Sequence, residues 1–161
     1  MPPYRKILFI CHANTSRSVM AEALLKKMLE ERAQHDHLII RSAGVAAYAR
    51  DGALVSLDTR LVLRDEGIHI PPDAVATDLK SNRHLIEEAD LILAMTRGQI
   101  AMLRAAFPEA VGKDVFTLKE FAGGLGDIED PAGQHEDVFA ACRDEIKACL
   151  EKAIERLAPA P

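Results

Sequence analysis

The residues with the clearest chemical potential are Cys11, Arg17 and Ser18. They lie in the stretch "CHANTSRS", between the apolar run "KILFI" and the segment "VMAEALLKKMLEE". An ionised cysteine is a strong nucleophile, and arginine is an always-charged planar fork that matches two phosphate oxygens. The residues between them are small or polar, so their backbone N–H groups can curl around an anion. The following helix begins near Ser18, and the positive end of its dipole points at the same place. That field favours the thiolate of Cys11 beneath a bound phosphorus, and Ser18 can donate its hydroxyl to the sulfur. Asn14 tolerates the left-handed backbone that a tight cradle needs. The chemistry predicted is nucleophilic attack on a phosphoryl group. Spacing alone is weak, because about one cysteine in twenty has an arginine six places on, and a cysteine at a strand end is often a small hydrophobe. The motif gains its force from standing between a buried strand and a helix.

The elements that must position these residues read as follows. "KILFI" (6–10) is a continuous apolar run, hence a buried strand. From Val19 to about Gln34, Met20, Ala23, Leu24, Met28 and Leu29 recur at helical spacing. "HLIIRS" (37–42) is a second strand. Residues 52–66 read as a helix with Leu54, Leu57, Leu61 and Val62 inward and Gly67 as its stop. "PPD" (71–73) forces a turn, and Ser81 is expected to cap a short helix running to Ala89. "DLILAM" (90–95) and "DVFTL" (114–118) are two more strands, separated by a helix capped by Thr96 that ends before Pro108. A glycine-rich loop (122–134) leads to a last helix, 136–157. Strands alternating with helices predict an α/β fold: a four-stranded parallel sheet flanked by helices on both faces, with the phosphate-binding loop after the first strand. In such a sheet, ligands bind beyond the carboxyl ends of the strands, where Cys11 stands. No repeat or linker divides the chain, so residues 1–161 read as one domain with a core of about 6–157.

The totals are consistent with that reading. A length of 161 residues with 48% hydrophobic composition suits one well-cored domain. A net charge of −5 argues against nucleic-acid or anionic-membrane partners, which require clustered Lys and Arg. No apolar run approaches the roughly 18 residues of a membrane span, and "MPPYRK" has no signal-peptide core, so a cytoplasmic location is expected. Three cysteines fit a reducing compartment. Cys142 and Cys149, on one helix face with Val138, Ile146 and Ile154, read as core. "HDH" (35–37) reads as a polar turn, and no metal or cofactor is expected.

"FICHANTSRSVMAEALLKK" resembles the phosphate loop of the low-molecular-weight protein tyrosine phosphatases: Cys-x5-Arg-Ser followed by a Met-Ala-Glu helix. "RSAGV" (41–45), "ADLILAMT" (89–96), "DVFTLKEF" (114–121) and "DP" (130–131) before a long helix extend the resemblance over about residues 6–157. It implies that Cys11 attacks phosphorus and that Arg17, with the loop amides of His12, Ala13, Asn14, Thr15, Ser16 and Ser18, holds the phosphoryl oxygens. It also implies that Asp130 is the general acid and then the general base. Asp130 precedes Pro131, which stiffens a loop that must carry a carboxyl back over the cysteine. Asp127 and Glu129 read as solvated loop charges. Ser42 matches a family serine that supports Asn14, and His12 is expected to be an outward-pointing, variable side chain rather than part of the pocket lip.

Several positions bear on the substrate. Thr15 stands where tyrosine-directed members resembling this chain carry a β-branched aliphatic residue and protein arginine phosphatases carry threonine. Ala132-Gly133 replaces the aromatics that would stack on phosphotyrosine, and also the one that arginine phosphatases tend to keep. Tyr48 can supply a wall or be a plain surface aromatic. The resemblance is closest to the arginine phosphatase branch, with phosphorylated proteins as partners, no cofactor, and a monomeric chain. Ser16 stands where the family often has a second cysteine, Ala13 where it has a glycine, and a family histidine near "PPD" is absent. That absence predicts a less complete Asn14–Ser42 support. A phosphotyrosine or small-molecule phosphatase stays open as the alternative. A thioredoxin-coupled arsenate reductase needs further cysteines that residues 73–100 lack. A silent phosphoprotein binder has no use for the thiolate and Asp130 together.

Overall fold

The computed structural model describes residues 4–34 and 36–159; His35 of the "HDH" turn and the chain's first three and last two residues lie outside them. Four parallel strands, β1 (Lys6–Cys11), β2 (Ile39–Gly44), β3 (Leu91–Ala94) and β4 (Asp114–Thr117), form one sheet in the order β2-β1-β3-β4. The helices are α1 (Arg17–Glu31), α2 (Leu57–Arg64), α3 (His84–Glu88), α4 (Arg97–Ala106), α5 (Leu118–Phe121) and α6 (Glu136–Leu157). The expected α/β architecture is thus present. Successive side chains of β1 alternate between two cores: Ile7, Phe9 and Cys11 join those of α1 and α6, while Leu8 and Ile10 join Ile86, Leu103 and Phe107 on the other face. Both faces of the sheet are covered, which is why its strands read as unbroken apolar runs. Among the described residues no helix is long and apolar enough to cross a membrane.

Parallel register sets the site. Cys11, the last residue of β1, pairs with Gly44, the last of β2, so both strands end beneath the same loop. A Cβ on Gly44 would stand 2.8 Å from the carbonyl oxygen of His12 and 2.9 Å from the carbonyl carbon of Ala13. Only a glycine lets the loop cross there. Gly44→Ala is expected to cost about 1–3 kcal/mol in urea unfolding, as overpacked sites do, and to lower phosphate affinity because the loop backbone must shift. Unchanged stability and affinity would contradict that account.

Local chemistry moves several boundaries. α1 starts two residues earlier than its apolar period suggests, which brings Arg17 and Ser18 into its first turn. It ends in a Schellman motif at Ala33 (φ 55°), where the N–H of Gln34 reaches the carbonyl of Leu29 at 2.7 Å. α2 covers only part of the expected 52–66, because the Ser56 hydroxyl accepts the Thr59 N–H at 3.1 Å and fixes its start. Its buried face is Thr59, Val62 and Leu63. Leu54 and Leu57 are exposed rather than inward, and Leu54 instead bridges Val75. Ser81 does not cap a helix: it ends a 3-10 turn (Leu79–Ser81) capped by Asp78, and α3 follows as a separate piece. Along α6 the buried line includes Phe139, Cys142, Ile146, Leu150, Ala153 and Leu157; Val138 is exposed and Cys149 only half-buried.

Candidate active site

The loop from Cys11 to Ser18 turns through Asn14, whose φ of 60° places it in the left-handed region. That turn brings the Asn14 N–H to 3.3 Å from the Cys11 sulfur, and the Ser18 hydroxyl lies 2.8 Å from the same sulfur. The direction of the bonds follows from their neighbours. The Thr77 N–H donates to Asn14 Oδ1 at 2.9 Å, so the Asn14 amide nitrogen must face the other way. It donates to Ser18 Oγ at 2.8 Å and to Ser42 Oγ at 2.9 Å. Ser18, its oxygen already an acceptor, turns its own hydrogen to the sulfur and stabilises a thiolate. Ser42 passes its hydrogen to the Glu22 carboxylate. The Asn14 support is therefore complete without the missing histidine, because Glu22 of α1 and the Thr77 N–H take up the valences. Asn14 is 2% exposed, so its side chain braces the loop and only its backbone faces the cradle.

Arg17 is 3% exposed and is held from three directions. Its Nη1 donates to the carbonyl of Ile128 at 2.7 Å; its Nη2 lies 3.0 Å from His12 Nδ1 and 3.7 Å from Asp130 Oδ2. Ile128 is fully buried and its own N–H donates to the Met95 carbonyl at 2.9 Å. One apolar side chain thus anchors the long loop that carries Asp130. Pro131 is buried beside it, while Asp130 keeps its carboxyl 47% exposed and accepts the Ala132 N–H at 3.0 Å. Asp127 is occupied elsewhere, accepting the Arg97 N–H at the start of α4. The structure therefore brings Cys11, Arg17 and Asp130 to one place.

The other candidates divide. The Thr15 carbonyl accepts from the Ser56 N–H at 3.1 Å and from the Thr59 hydroxyl at 3.2 Å, so the loop is tied to α2 at that residue. Ser16 is buried, with its hydroxyl 3.4 Å from that of Ser56, and Ala13 is half-buried in the loop. Tyr48 is 65% exposed, and its ring lies parallel to that of His12 with centroids 6.5 Å apart. His12 does not point outward: its ring turns in toward Arg17 and Gln99. Sequence reasoning missed Gln99, Ile128 and Glu22. The lone isoleucine in "GDIEDP" and the glutamate of "MAE" were the available signals for the last two.

Comparison with known proteins decides the family. Residues 6–160 match the model for low molecular weight phosphotyrosine protein phosphatase. The chain belongs to that family. It is 40% identical over 156 residues to the protein-arginine-phosphatase of Geobacillus stearothermophilus, covering 96% of this chain and 97% of the other. Among solved structures it is similar to the YwlE arginine phosphatase in a cysteine-to-serine mutant with a phosphorylated active-site serine. There the TM-score is 0.84 at 34% identity, over 94% of this chain and 95% of that one. It is also similar to the low molecular weight protein tyrosine phosphatase of T. tengcongensis, with TM-score 0.83 and 36% identity over 95% and 99% of the two chains.

Within this phosphatase family's fold, Cys11 has no thiol partner in its loop, because Ser16 stands where a second cysteine often is. Cys142 packs in the core behind the acid loop, where burial pushes its thiol up to about 12, so it stays neutral and cannot attack a sulfenic acid. Peroxide inactivation should accordingly run on to irreversible acids and be poorly reversed by thiols. Full recovery of peroxide-treated protein with dithiothreitol would sink that expectation.

Proposed function

We propose that the chain is a cysteine-dependent protein phosphatase that hydrolyses phosphorylated side chains through a phosphocysteine, with phosphoarginine favoured over phosphotyrosine. The observation that carries this reading is the loop itself: a sulfur facing the Asn14 N–H and the Ser18 hydroxyl, in a cradle closed by a buried arginine 3.7 Å from an exposed carboxyl. In the first step the Cys11 thiolate forms the S–P bond as the bond from phosphorus to the leaving nitrogen or oxygen breaks. Asp130 gives that leaving atom its proton. In the second, Asp130 takes a proton from water, the oxygen attacks phosphorus, and the S–P bond breaks to release phosphate and restore the thiolate. Arg17 and the loop amides balance the charge on the phosphoryl oxygens throughout. The catalytic unit is read as one cytoplasmic, monomeric domain acting on phosphorylated proteins.

Two features support the preference for phosphoarginine. Thr15 offers a hydroxyl where tyrosine-directed relatives carry a β-branched aliphatic residue, and the similar proteins named above include two arginine phosphatases. A second reading, phosphotyrosine, is favoured by Tyr48, whose exposed ring stands beside His12. Turnover of phosphoarginine and phosphotyrosine peptides side by side tests both. The native chain should prefer phosphoarginine, and Thr15→Ile should shift the ratio of kcat/KM values toward phosphotyrosine by roughly tenfold or more, within the range one pocket group supplies. Preference of the native chain for phosphotyrosine would overturn the assignment of Thr15 and leave the cysteine mechanism standing.

A further inference from the structure

Gln99 is fully buried in the first turn of α4 and plays no part in the chemistry above. Its Oε1 accepts the N–H groups of Met95 at 2.9 Å and Thr96 at 3.1 Å, beyond the end of β3. An amide whose oxygen is fixed in this way must present its NH2 group on the other side. There Nε2 lies 2.9 Å from His12 Nδ1, the same nitrogen that stands 3.0 Å from Arg17 Nη2. Both neighbours are donors only, so Nδ1 carries no proton and the neutral ring holds its hydrogen on Nε2.

We propose that His12 is a positioning residue for the phosphoryl site: locked as an acceptor by Gln99, its Nδ1 holds Arg17 in the cradle and away from Asp130. The inference rests on reading the cradle as the phosphoryl site. Arg17 is anchored on one arm by the Ile128 carbonyl, and its other arm has two acceptors to choose from. One is neutral His12 at 3.0 Å and the other is the Asp130 carboxylate at 3.7 Å. Closer pairing with Asp130 would engage both the guanidinium needed for phosphate and the carboxyl needed for the leaving group. A neutral acceptor fixes the arginine without cancelling its charge. Protonation of His12 would turn Nδ1 into a donor facing two donors, and the hold would fail. Burial and the adjacent Arg17 keep the ring's pKa below the usual 6.5, against the pull of Asp130. The titratable and charged groups around the ring are Cys11 and Arg17 at the ends of the loop, Asp130 from the 122–134 segment and Tyr48 from the loop after β2; α4 contributes the neutral Gln99.

The test uses inorganic phosphate and the ring nitrogens, so it does not depend on which phosphorylated side chain is turned over. Nitrogen-15 spectra of the native chain at neutral pH should show His12 with Nε2 protonated and Nδ1 bare. Gln99→Glu, which offers an acceptor in place of the NH2, should move the proton to Nδ1 or give the imidazolium. Phosphate titrations should show affinity about tenfold weaker in His12→Leu, the scale of one lost hydrogen bond to a charged group. His12→Asn, whose Oδ1 can replace Nδ1 as acceptor and does not titrate, should stay near native. Its phosphate affinity should also fall less than the native chain's as pH drops below 6.5. A native ring protonated at Nδ1, or equal affinities in the native chain and His12→Leu, would overturn the positioning role alone. No phosphate binding by the native chain would remove the cradle reading and this inference with it.

Discussion

Cys11→Ser is expected to lose phosphatase turnover by on the order of 10⁴-fold or more while still binding phosphate, as loss of a nucleophile does in other covalent enzymes. The cradle explains the asymmetry. Its donors, the Asn14 N–H and the Ser18 hydroxyl, are both aimed at the sulfur. Ser18 and Asn14 act as donors toward position 11, so neither takes a proton from a serine hydroxyl there. A serine would therefore remain a neutral, weak nucleophile. Because the loop amides and Arg17 are untouched, phosphate titration should give an affinity within a few fold of native. Residual turnover above about one per cent of native would show that another group attacks phosphorus.

Asp130→Asn should lower kcat by roughly 10²–10³-fold on phosphoarginine or phosphotyrosine peptides, the usual contribution of a positioned acid–base group. The loss should be smaller on para-nitrophenyl phosphate, whose leaving group departs without a proton. The same carboxyl serves both steps, so phosphocysteine should accumulate when the first step is made easy in this way. Asp127→Asn is the control, because that carboxylate is engaged with the Arg97 N–H. Equal losses in the two variants would place the acid elsewhere in the 122–134 loop. The prediction rests on geometry: Asp130 is exposed above a buried Pro131, in a loop pinned at Ile128 by bonds to Met95 and Arg17.

The strand–loop–helix core of the site was legible because its parts are neighbours in the chain. Cys11, Asn14, Arg17 and Ser18 lie within one strand end and one helical turn, and residue type at that spacing, between a buried strand and a helix, already points to an anion cradle. Thr96 as the α4 cap and 136–157 as the last helix were legible for the same reason, since capping and amphipathic periodicity act over a few residues. The second helix was misplaced because four leucines and valines at helical spacing outweighed one serine, whereas in the fold the Ser56 cap and its tie to Thr15 decided where the helix begins.

By itself the sequence determined the sheet's parallel character and singled out Cys11, Arg17 and Asp130 as candidates for one site. Tertiary structure alone decided what holds them. The Arg17–Ile128 bond joins residues 111 positions apart, the Gln99–His12 bond 87, and the Thr77–Asn14 bond 63. Periodicity reports which face of a segment is buried, but it does not report which distant polar group meets it. Those meetings follow from strand order and register, with β1 lying between β2 and β3 so that the segments leaving all three converge on one loop. The inward turn of His12 is the clearest case. Nothing local distinguishes it from a surface histidine, and it is the buried Gln99 of α4, together with Arg17, that turns its ring inward.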